Sequence, residues 1–242
     1  MLPIGDRNEP GPPAVVNILI IAVNLLVFVL LQLPNEAFTN GYSAVPAEIA
    51  TGHDIVGPQS VALPDGSTAV IDEAPGPRPI WLTLLTSMFM HGGWLHILGN
   101  MLFLFIFGDN VERAFGHVKY LAFYLVCGLV AGLAQVYSDT TSVVPSLGAS
   151  GAISGVLAAY LVMFPNNPVR VLVLLRFIPW IFSVPALVMI GLWAVLQFIN
   201  AFSGQTDGVA YVAHIGGFVA GFLLAFVLRP LSGGPRRSYG VP

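Results

Sequence analysis

A serine and a histidine in apolar surroundings are the residues of this chain best suited to chemistry. Ser150 and Ser154 lie among glycines in SLGASGAISG (146–155), and His214 lies in AHIGGFVAG (213–221). Serine is a weak nucleophile until a base takes its proton, and a neutral imidazole is a common base. The residue types therefore allow acyl transfer by a serine. They equally allow a simpler interpretation, in which small residues only let helices pack closely.

A second polar group stands in FMHGGWLHILGN, residues 89–100. His96 and Asn100 are spaced i, i+4 and share one helix face, and His91 precedes them at a Gly-Gly break. An amide and an imidazole N–H are suitable donors to the oxyanion of a tetrahedral intermediate. Histidines can also bind metal, and a site formed by His91, His96 and His214 is the alternative. The fit to serine chemistry favours the oxyanion interpretation.

The composition predicts a membrane protein with several spanning helices. Of 242 residues, 56% are hydrophobic and only 9% are charged, with a mean hydropathy of +0.82 and a net charge of -3. A soluble domain devotes about a quarter of its residues to charge. Because there is no basic tract, nucleic acid is not an expected partner. The single cysteine, Cys127, excludes disulfides and cysteine-rich metal sites.

Hydropathy predicts an all-α fold with six transmembrane helices. The six segments are 14–33, 81–107 with its membrane helix starting near the Gly92-Gly93 break, 118–136, 150–164, 179–202 and 209–228. They form one membrane domain over 14–229, with tails at 1–13 and 230–242 and a long polar loop at 34–80. The first segment is predicted to be a retained membrane helix and not a cleaved signal peptide, because a basic start and a cleavage site are missing. The stretch NNPVRVLVLLR (166–176) is predicted to be amphipathic and to lie at the membrane interface.

The basic residues predict the orientation of these helices. With the N-terminus in the cytoplasm, the inner segments hold eight of the nine: Arg7, Arg113, Lys119, Arg170, Arg176, Arg229, Arg236 and Arg237. Arg78 alone lies outside. Since lysine and arginine collect on the cytoplasmic side, both termini are expected in the cytoplasm of a cell membrane, with the 34–80 loop outside.

This topology brings the polar groups to one depth. The second, fourth and sixth helices all enter from the outside, and the polar groups lie near their entering ends. Ser150 stands at a helix start, where backbone N–H groups are unpaired. His96, Asn100, Ser150 and His214 are therefore predicted to form one site reached by water from the outer side.

Small residues are expected to bring the fourth and sixth helices together. Gly151 and Gly155 form one small-xxx-small pair, and Gly217 and Gly221 form another. Such packing is the simple explanation of these glycines. Close approach of the two helices would also place His214 against Ser150.

The combination of HGGWLHILGN, GASG and AHIGGFVAG resembles the rhomboid intramembrane serine proteases, as does FGDNVERAFG (107–116). The resemblance spans roughly 81–225 and implies a rhomboid-like bundle of six helices. It implies that Ser150 is the nucleophile and His214 the base, while His96, Asn100 and Ser150 form the oxyanion hole. It gives supporting places to His91, Gly148, Gly151, Gly217 and Gly221, and it requires no cofactor and no metal.

Three further expectations concern acidic and small residues. No carboxylate lies in the apolar helices near the site, so a Ser-His dyad is expected, and Asp207 is a weak candidate to orient the histidine. Glu112 and Arg113 are expected to form a solvated ion pair at a helix end. Ser154 stands where some relatives carry an aromatic ring, and it is expected to bond back to its own helix.

The sequence thus predicts a serine endopeptidase that cleaves transmembrane or membrane-anchored proteins near the outer face. Its partners are substrate proteins and the lipid bilayer, and its oligomeric state stays open. The fifth helix and the 203–208 loop are candidates for a gate. The alternative is a non-catalytic rhomboid-like factor that binds membrane proteins. A small-solute transporter would need paired half-helices or intramembrane carboxylates, and neither is seen.

Overall fold

The computed structural model describes residues 2–62, 66–175, 178–203 and 208–229, and these are mostly helical. The α-helices are α1 (Val15–Val27), α2 (Glu36–Tyr42), α3 (Pro46–Thr51), α4 (Thr83–Thr86), α5 (Trp94–Phe115), α6 (His117–Ser138), α7 (Ser150–Met163), α8 (Ala186–Phe202) and α9 (Tyr211–Leu228). The strands are β1 (Leu2–Gly5), β2 (Gly57–Ala62), β3 (Thr68–Glu73), β4 (Pro168–Leu175) and β5 (Ile178–Pro185). A π-helical turn, Phe28–Gln32, extends α1.

The predicted fold class, a helical bundle of a multi-pass membrane protein, is confirmed. In the described part of the chain, four helices are long and apolar enough to cross a bilayer: Val15–Gln32, α5, α6 and α9. Among the shorter apolar helices, α7 has 14 residues and α8 has 17. A helix of α7's length spans about 21 Å, which is less than a hydrocarbon core of about 30 Å.

α7 is the central helix of the bundle. All residues from Gly151 to Tyr160 are buried, and α7 packs against α5, α6 and α9. A helix that is apolar on every side is stable only when other elements surround it. Its central position fixes Ser150, the first residue of α7, at one end of the core.

The break at Gly92-Gly93 is confirmed, because α5 begins at Trp94. Before the break, two 3₁₀ turns flank the short α4, so residues 80–89 form a separate apolar helical segment. The predicted second helix is therefore two elements, of which only α5 is a candidate membrane span.

In the described residues, two small sheets accompany the helices. β1, β4 and β5 form an antiparallel sheet in that order, with Leu2 opposite Leu172. The interfacial position expected for 166–176 stays a prediction. The predicted start of a helix at 179 is wrong, because β4 and β5 precede α8, which begins only at Ala186. The reason is an alternating pattern of β-branched residues: Val169 and Val171 are buried while Arg170 is exposed.

The second sheet is the antiparallel hairpin of β2 and β3, within the 34–80 segment. This segment also docks on the connection before α7, since Ala44 and Ser146 exchange two backbone hydrogen bonds of 3.0 and 2.8 Å. The Gly148 N–H donates to the Ser87 carbonyl at 2.9 Å. These bonds hold the chain in place immediately before Ser150.

The prediction of a solvated Glu112–Arg113 ion pair is wrong. Glu112 is buried, and its carboxylate accepts the backbone N–H groups of Val16 at 3.0 Å and Asn17 at 2.6 Å. It therefore caps the N-terminus of α1, where N–H groups lack helical partners and a negative charge is favoured. Arg113 pairs instead with Asp109 at 2.9 Å.

Candidate active site

Ser150 lies at the start of α7, as its sequence position suggests. Gly148, two residues earlier, has φ +136°, a backbone conformation that side chains rarely allow. A Cβ at Gly148 would also lie 2.9 Å from the Nε2 of His96. Both the positive φ and the short distance to His96 thus require glycine at position 148. Because Gly148 has no side chain, the His96 ring can lie next to the segment that carries Ser150.

The structure brings Ser150 and His214 together. The Ser150 Oγ lies 2.8 Å from the Nε2 of His214, although the two residues are 64 positions apart in the chain. His214 stands in the first turn of α9, on a helix that packs against α7. A hydroxyl at this distance from an imidazole nitrogen has the geometry of a nucleophile and its base.

Glycine makes this contact geometrically feasible. A Cβ at Gly217 would lie 2.0 Å from the Gly151 carbonyl oxygen, and one at Gly221 would lie 2.3 Å from the Gly155 carbonyl oxygen. The predicted close approach of the fourth and sixth apolar helices is therefore confirmed. Only glycine lets the α9 backbone come so near to α7.

His96 and Asn100 occupy the first two turns of α5. The Gly92 N–H donates to the Nδ1 of His96 at 3.2 Å, so the proton of the neutral imidazole resides on Nε2, which faces Gly148. The Asn100 Nδ2 is buried and has no hydrogen-bond partner in the described part of the chain. The His96 Nε2–H therefore lies next to Gly148, two residues before Ser150, and Asn100 offers a second N–H donor one turn later in α5.

His91 is held through its backbone. The side-chain amide of Gln32 accepts the His91 N–H at 2.9 Å and donates to the His91 carbonyl at 3.2 Å. The His91 ring is buried edge-on to His96, with 5.1 Å between ring centroids. The π-helical turn at the end of α1 thereby fixes the Gly-Gly break, a role of Gln32 that the sequence analysis missed.

Ser154 takes no part in this cluster. Its hydroxyl donates to the Ser150 carbonyl at 2.7 Å, which confirms the predicted bond to its own helix. The side chain is fully buried. Ser150 is therefore the serine of this segment whose hydroxyl contacts the imidazole of His214.

Gln197 is a neighbour of His214 that the sequence analysis did not single out. Its Oε1 lies 2.7 Å from the Nδ1 of His214, on the side of the ring opposite Ser150. The rings of Trp193 and Tyr211 stand near the same imidazole, with centroids 6.0 and 6.4 Å away. Asp207, the acid considered earlier, lies outside the described residues, as does Gly204 of the predicted gate.

A cavity of about 30 Å³ reaches Ser150 from the side of α6 and the 34–80 segment. Small residues dominate its wall beside the serine, among them Ala44, Gly128, Gly148 and Ala213. Such a volume holds one or two water-sized groups. No group of three or more His, Cys, Asp or Glu side chains in the ranges described is arranged to hold a metal ion.

Comparisons with known proteins identify the relatives of this chain. The sequence model of the Rhomboid domain matches residues 78–231. This range includes His91, His96, Asn100, Ser150, Gln197 and His214, but not Gln32. RHOMBOID-like protein 5 of Arabidopsis thaliana is 34% identical over 155 residues, or 62% of this chain and 45% of that protein. RHOMBOID-like protein 4 of the same plant is 28% identical over 215 residues, or 86% of this chain and 51% of its own length.

A bacterial relative carries an activity in its name. The rhomboid protease AarA of Providencia stuartii is 32% identical over 170 residues, covering 62% of this chain and 57% of that protein. The chain thus spans about half the length of the curated relatives it matches. The catalytic roles assigned to Ser150, His214, His96 and Asn100 stay predictions.

Proposed function

Because the chain belongs to the rhomboid family, we propose that it is an intramembrane serine endopeptidase that uses Ser150 and His214 as a dyad. The observation that carries the proposal is the 2.8 Å contact between the Ser150 Oγ and the His214 Nε2 inside an apolar bundle. A half-buried hydroxyl and imidazole in contact at two glycine-packed helices are more than helix packing alone requires. The protease name of AarA supports the same reaction.

The reaction starts when the His214 Nε2 takes the Ser150 hydroxyl proton and the oxygen attacks a substrate carbonyl carbon. The resulting oxyanion receives hydrogen bonds from the Ser150 backbone N–H, the Asn100 amide and the His96 Nε2–H. His214 then returns the proton to the leaving amine, and an acyl-enzyme remains. A water molecule activated by the same imidazole hydrolyses this ester and restores Ser150.

The substrate class follows from the location of the site. A transmembrane helix satisfies its own backbone hydrogen bonds, so a peptide bond within it must unwind locally before serine can attack. Transmembrane or membrane-anchored proteins with helix-breaking residues near one membrane face fit this requirement. The small cavity beside Ser150 favours a small side chain next to the cleaved bond. The excess of arginine and lysine in the opposite connections supports a site near the outer face of a cell membrane, with both termini in the cytoplasm.

Labelling with a fluorophosphonate tests the proposal. The detergent-purified protein is expected to form one covalent adduct, and mass spectrometry of the labelled peptide is expected to place it on Ser150. Ser150→Ala should take up no label. Ser154→Ala is the matched control, one turn away in the same helix, and it should label like the unaltered protein because its hydroxyl bonds only to a carbonyl.

The outcomes separate the alternatives. An adduct on Ser154 would overturn the assignment of the nucleophile. Absence of any adduct, together with stable binding of membrane proteins, would instead favour a non-catalytic rhomboid-like factor.

Asn100→Ala tests the oxyanion hole. Loss of one donor to the oxyanion typically lowers the rate about 10²–10³-fold, and we expect a fall of this size in kcat with little change in KM. The reason is that the donor binds a charge that exists only in the transition state. Steady-state cleavage of a fluorescent transmembrane substrate in detergent measures both constants.

Gly99→Ala is the control for this variant. A Cβ at Gly99 meets nothing within 4 Å, so its kcat should stay near that of the unaltered protein. A rise in KM alone for Asn100→Ala would mean that Asn100 only binds substrate or packs.

A further inference from the structure

We infer that Gln197 is a positioning residue that fixes the tautomer of His214 and thereby makes the state of the dyad depend on α8. The inference rests on the proposed function, because it gives Gln197 a part in the same reaction. It starts from the 2.7 Å contact between the Gln197 Oε1 and the His214 Nδ1.

The amide oxygen decides which imidazole nitrogen carries the proton. Oε1 can only accept, so the Nδ1 that faces it must donate. A neutral imidazole has one N–H, so the Nε2 opposite the Ser150 hydroxyl is left with a lone pair. This is the tautomer that a general base needs, and an acceptor at Nδ1 is what selects it.

The same contact remains useful after proton transfer. When His214 takes the serine proton, both ring nitrogens carry hydrogen and the ring is positively charged. The Gln197 oxygen still accepts from Nδ1, and its dipole stabilises the cation in apolar surroundings. A neutral amide therefore supplies both the orientation and part of the stabilisation that a carboxylate supplies in a triad.

Gln197 is on the face of α8 that meets α9. Trp193, one turn earlier, lies on the same face and brings its ring to 6.0 Å from the imidazole. On the other side of the helix, Leu192, Leu196 and Ile199 are exposed. A glutamine on a lipid-facing side would be costly, whereas here its oxygen has a partner.

Gln197, which orients the imidazole of the dyad, thus lies on a helix that holds neither Ser150 nor His214. Ser150 is on α7 and His214 on α9, while the Nδ1 acceptor is on α8. The Ser154 hydroxyl, one turn after Ser150 in α7, donates to the Ser150 carbonyl and therefore does not bond to the imidazole. When α8 moves away from α9, the imidazole loses the acceptor that selects its tautomer, so catalysis requires α8 to be packed against α9.

The experiment compares three variants of the full chain in detergent. Gln197→Leu keeps similar volume but has no acceptor, and we expect kcat to fall about 10–100-fold with KM unchanged, a smaller loss than the about 10⁴ seen when a triad histidine takes the wrong tautomer. Gln197→Glu restores the acceptor and should recover most of kcat. Leu196→Ala is the matched control on the exposed side of the same helix and should keep its activity.

Spectroscopy separates positioning from packing. In protein labelled with ¹⁵N-histidine, two-bond ¹⁵N–¹H correlations of His214, assigned by its absence in His214→Ala, should show the proton on Nδ1. Gln197→Leu should move part of the population to the other tautomer, and Gln197→Glu should bring the proton back to Nδ1. Thermal unfolding midpoints identify any variant that fails to fold. If Gln197→Leu fails to fold, the comparison of Gln197→Glu with the unaltered protein still reports the tautomer of His214.

The inference is overturned if Gln197→Leu keeps the unaltered kcat, or if kcat falls while the tautomer does not change. Either result, with the unaltered protein still taking up fluorophosphonate on Ser150, leaves the proposed function intact. If the unaltered protein takes up no label, the proposed function itself fails.

Discussion

Ser150→Ala and His214→Ala are each expected to reduce kcat for a transmembrane substrate by about 10⁴–10⁶-fold, as losses of serine-protease nucleophiles and bases do. The first variant removes the attacking oxygen. The second leaves that oxygen protonated and the leaving amine without a proton donor. Because the two residues act as a unit across a 2.8 Å contact, the double variant should be little slower than either single one. Gel-based cleavage of a tagged substrate in proteoliposomes measures all three.

Two control substitutions test whether the loss of activity comes from misfolding and not from loss of the dyad. Ser154→Ala removes a buried serine of the same helix, and His53→Ala removes an exposed histidine of the 34–80 segment. Both should cleave normally. Near-normal turnover by His214→Ala would refute the assignment of the base.

Gly217→Ala is expected to lower kcat/KM by about 10²-fold or more and to reduce the thermal unfolding midpoint. The new Cβ would lie 2.0 Å from the Gly151 carbonyl oxygen, a backbone atom that no side-chain rotation can move away. α9 must therefore shift from α7, and a shift of about 1 Å in a reacting group can cost this much in rate. Overpacking of a core adds about 1–3 kcal/mol of destabilisation. Cleavage assays and thermal melts in one detergent measure both effects.

Gly191→Ala provides the comparison. Gly191 is also helical, in α8, and a Cβ there meets nothing within 4 Å. It should keep its activity and become no less stable, because alanine favours helix over glycine. Equal behaviour of the two variants would show that the glycine contact between α7 and α9 does not position the dyad.

The spanning helices and the grouping of polar residues could be predicted because both depend on local pattern. Long apolar runs require helices in a bilayer, and the Gly-Gly break before Trp94 is visible in the sequence. Small residues at i, i+4 indicated that α7 and α9 would touch. The placement of Ser150 at a helix start and the intrahelical bond of Ser154 also follow from local rules.

Contacts between distant segments could not be predicted in the same way. The strand at 168–175 has partners in residues 2–5, about 170 positions earlier, although its alternating valines carried a detectable strand signal. Glu112 looked solvated because nothing local shows that α1 will begin over its carboxylate. Gln197 is one amide in an apolar helix, and only its position opposite His214 makes it informative.

The assembly of the site from α5, α7, α8 and α9 has a consequence for biosynthesis. Translation proceeds at about 5–20 residues per second, so Ser150 leaves the ribosome roughly 3–13 s before His214, which is 64 residues later. Under the proposed mechanism, Ser150 has no base during that interval and cannot cleave a neighbouring polypeptide in the insertion machinery. The order of synthesis would then keep each nascent copy inactive until α9 has packed against α7.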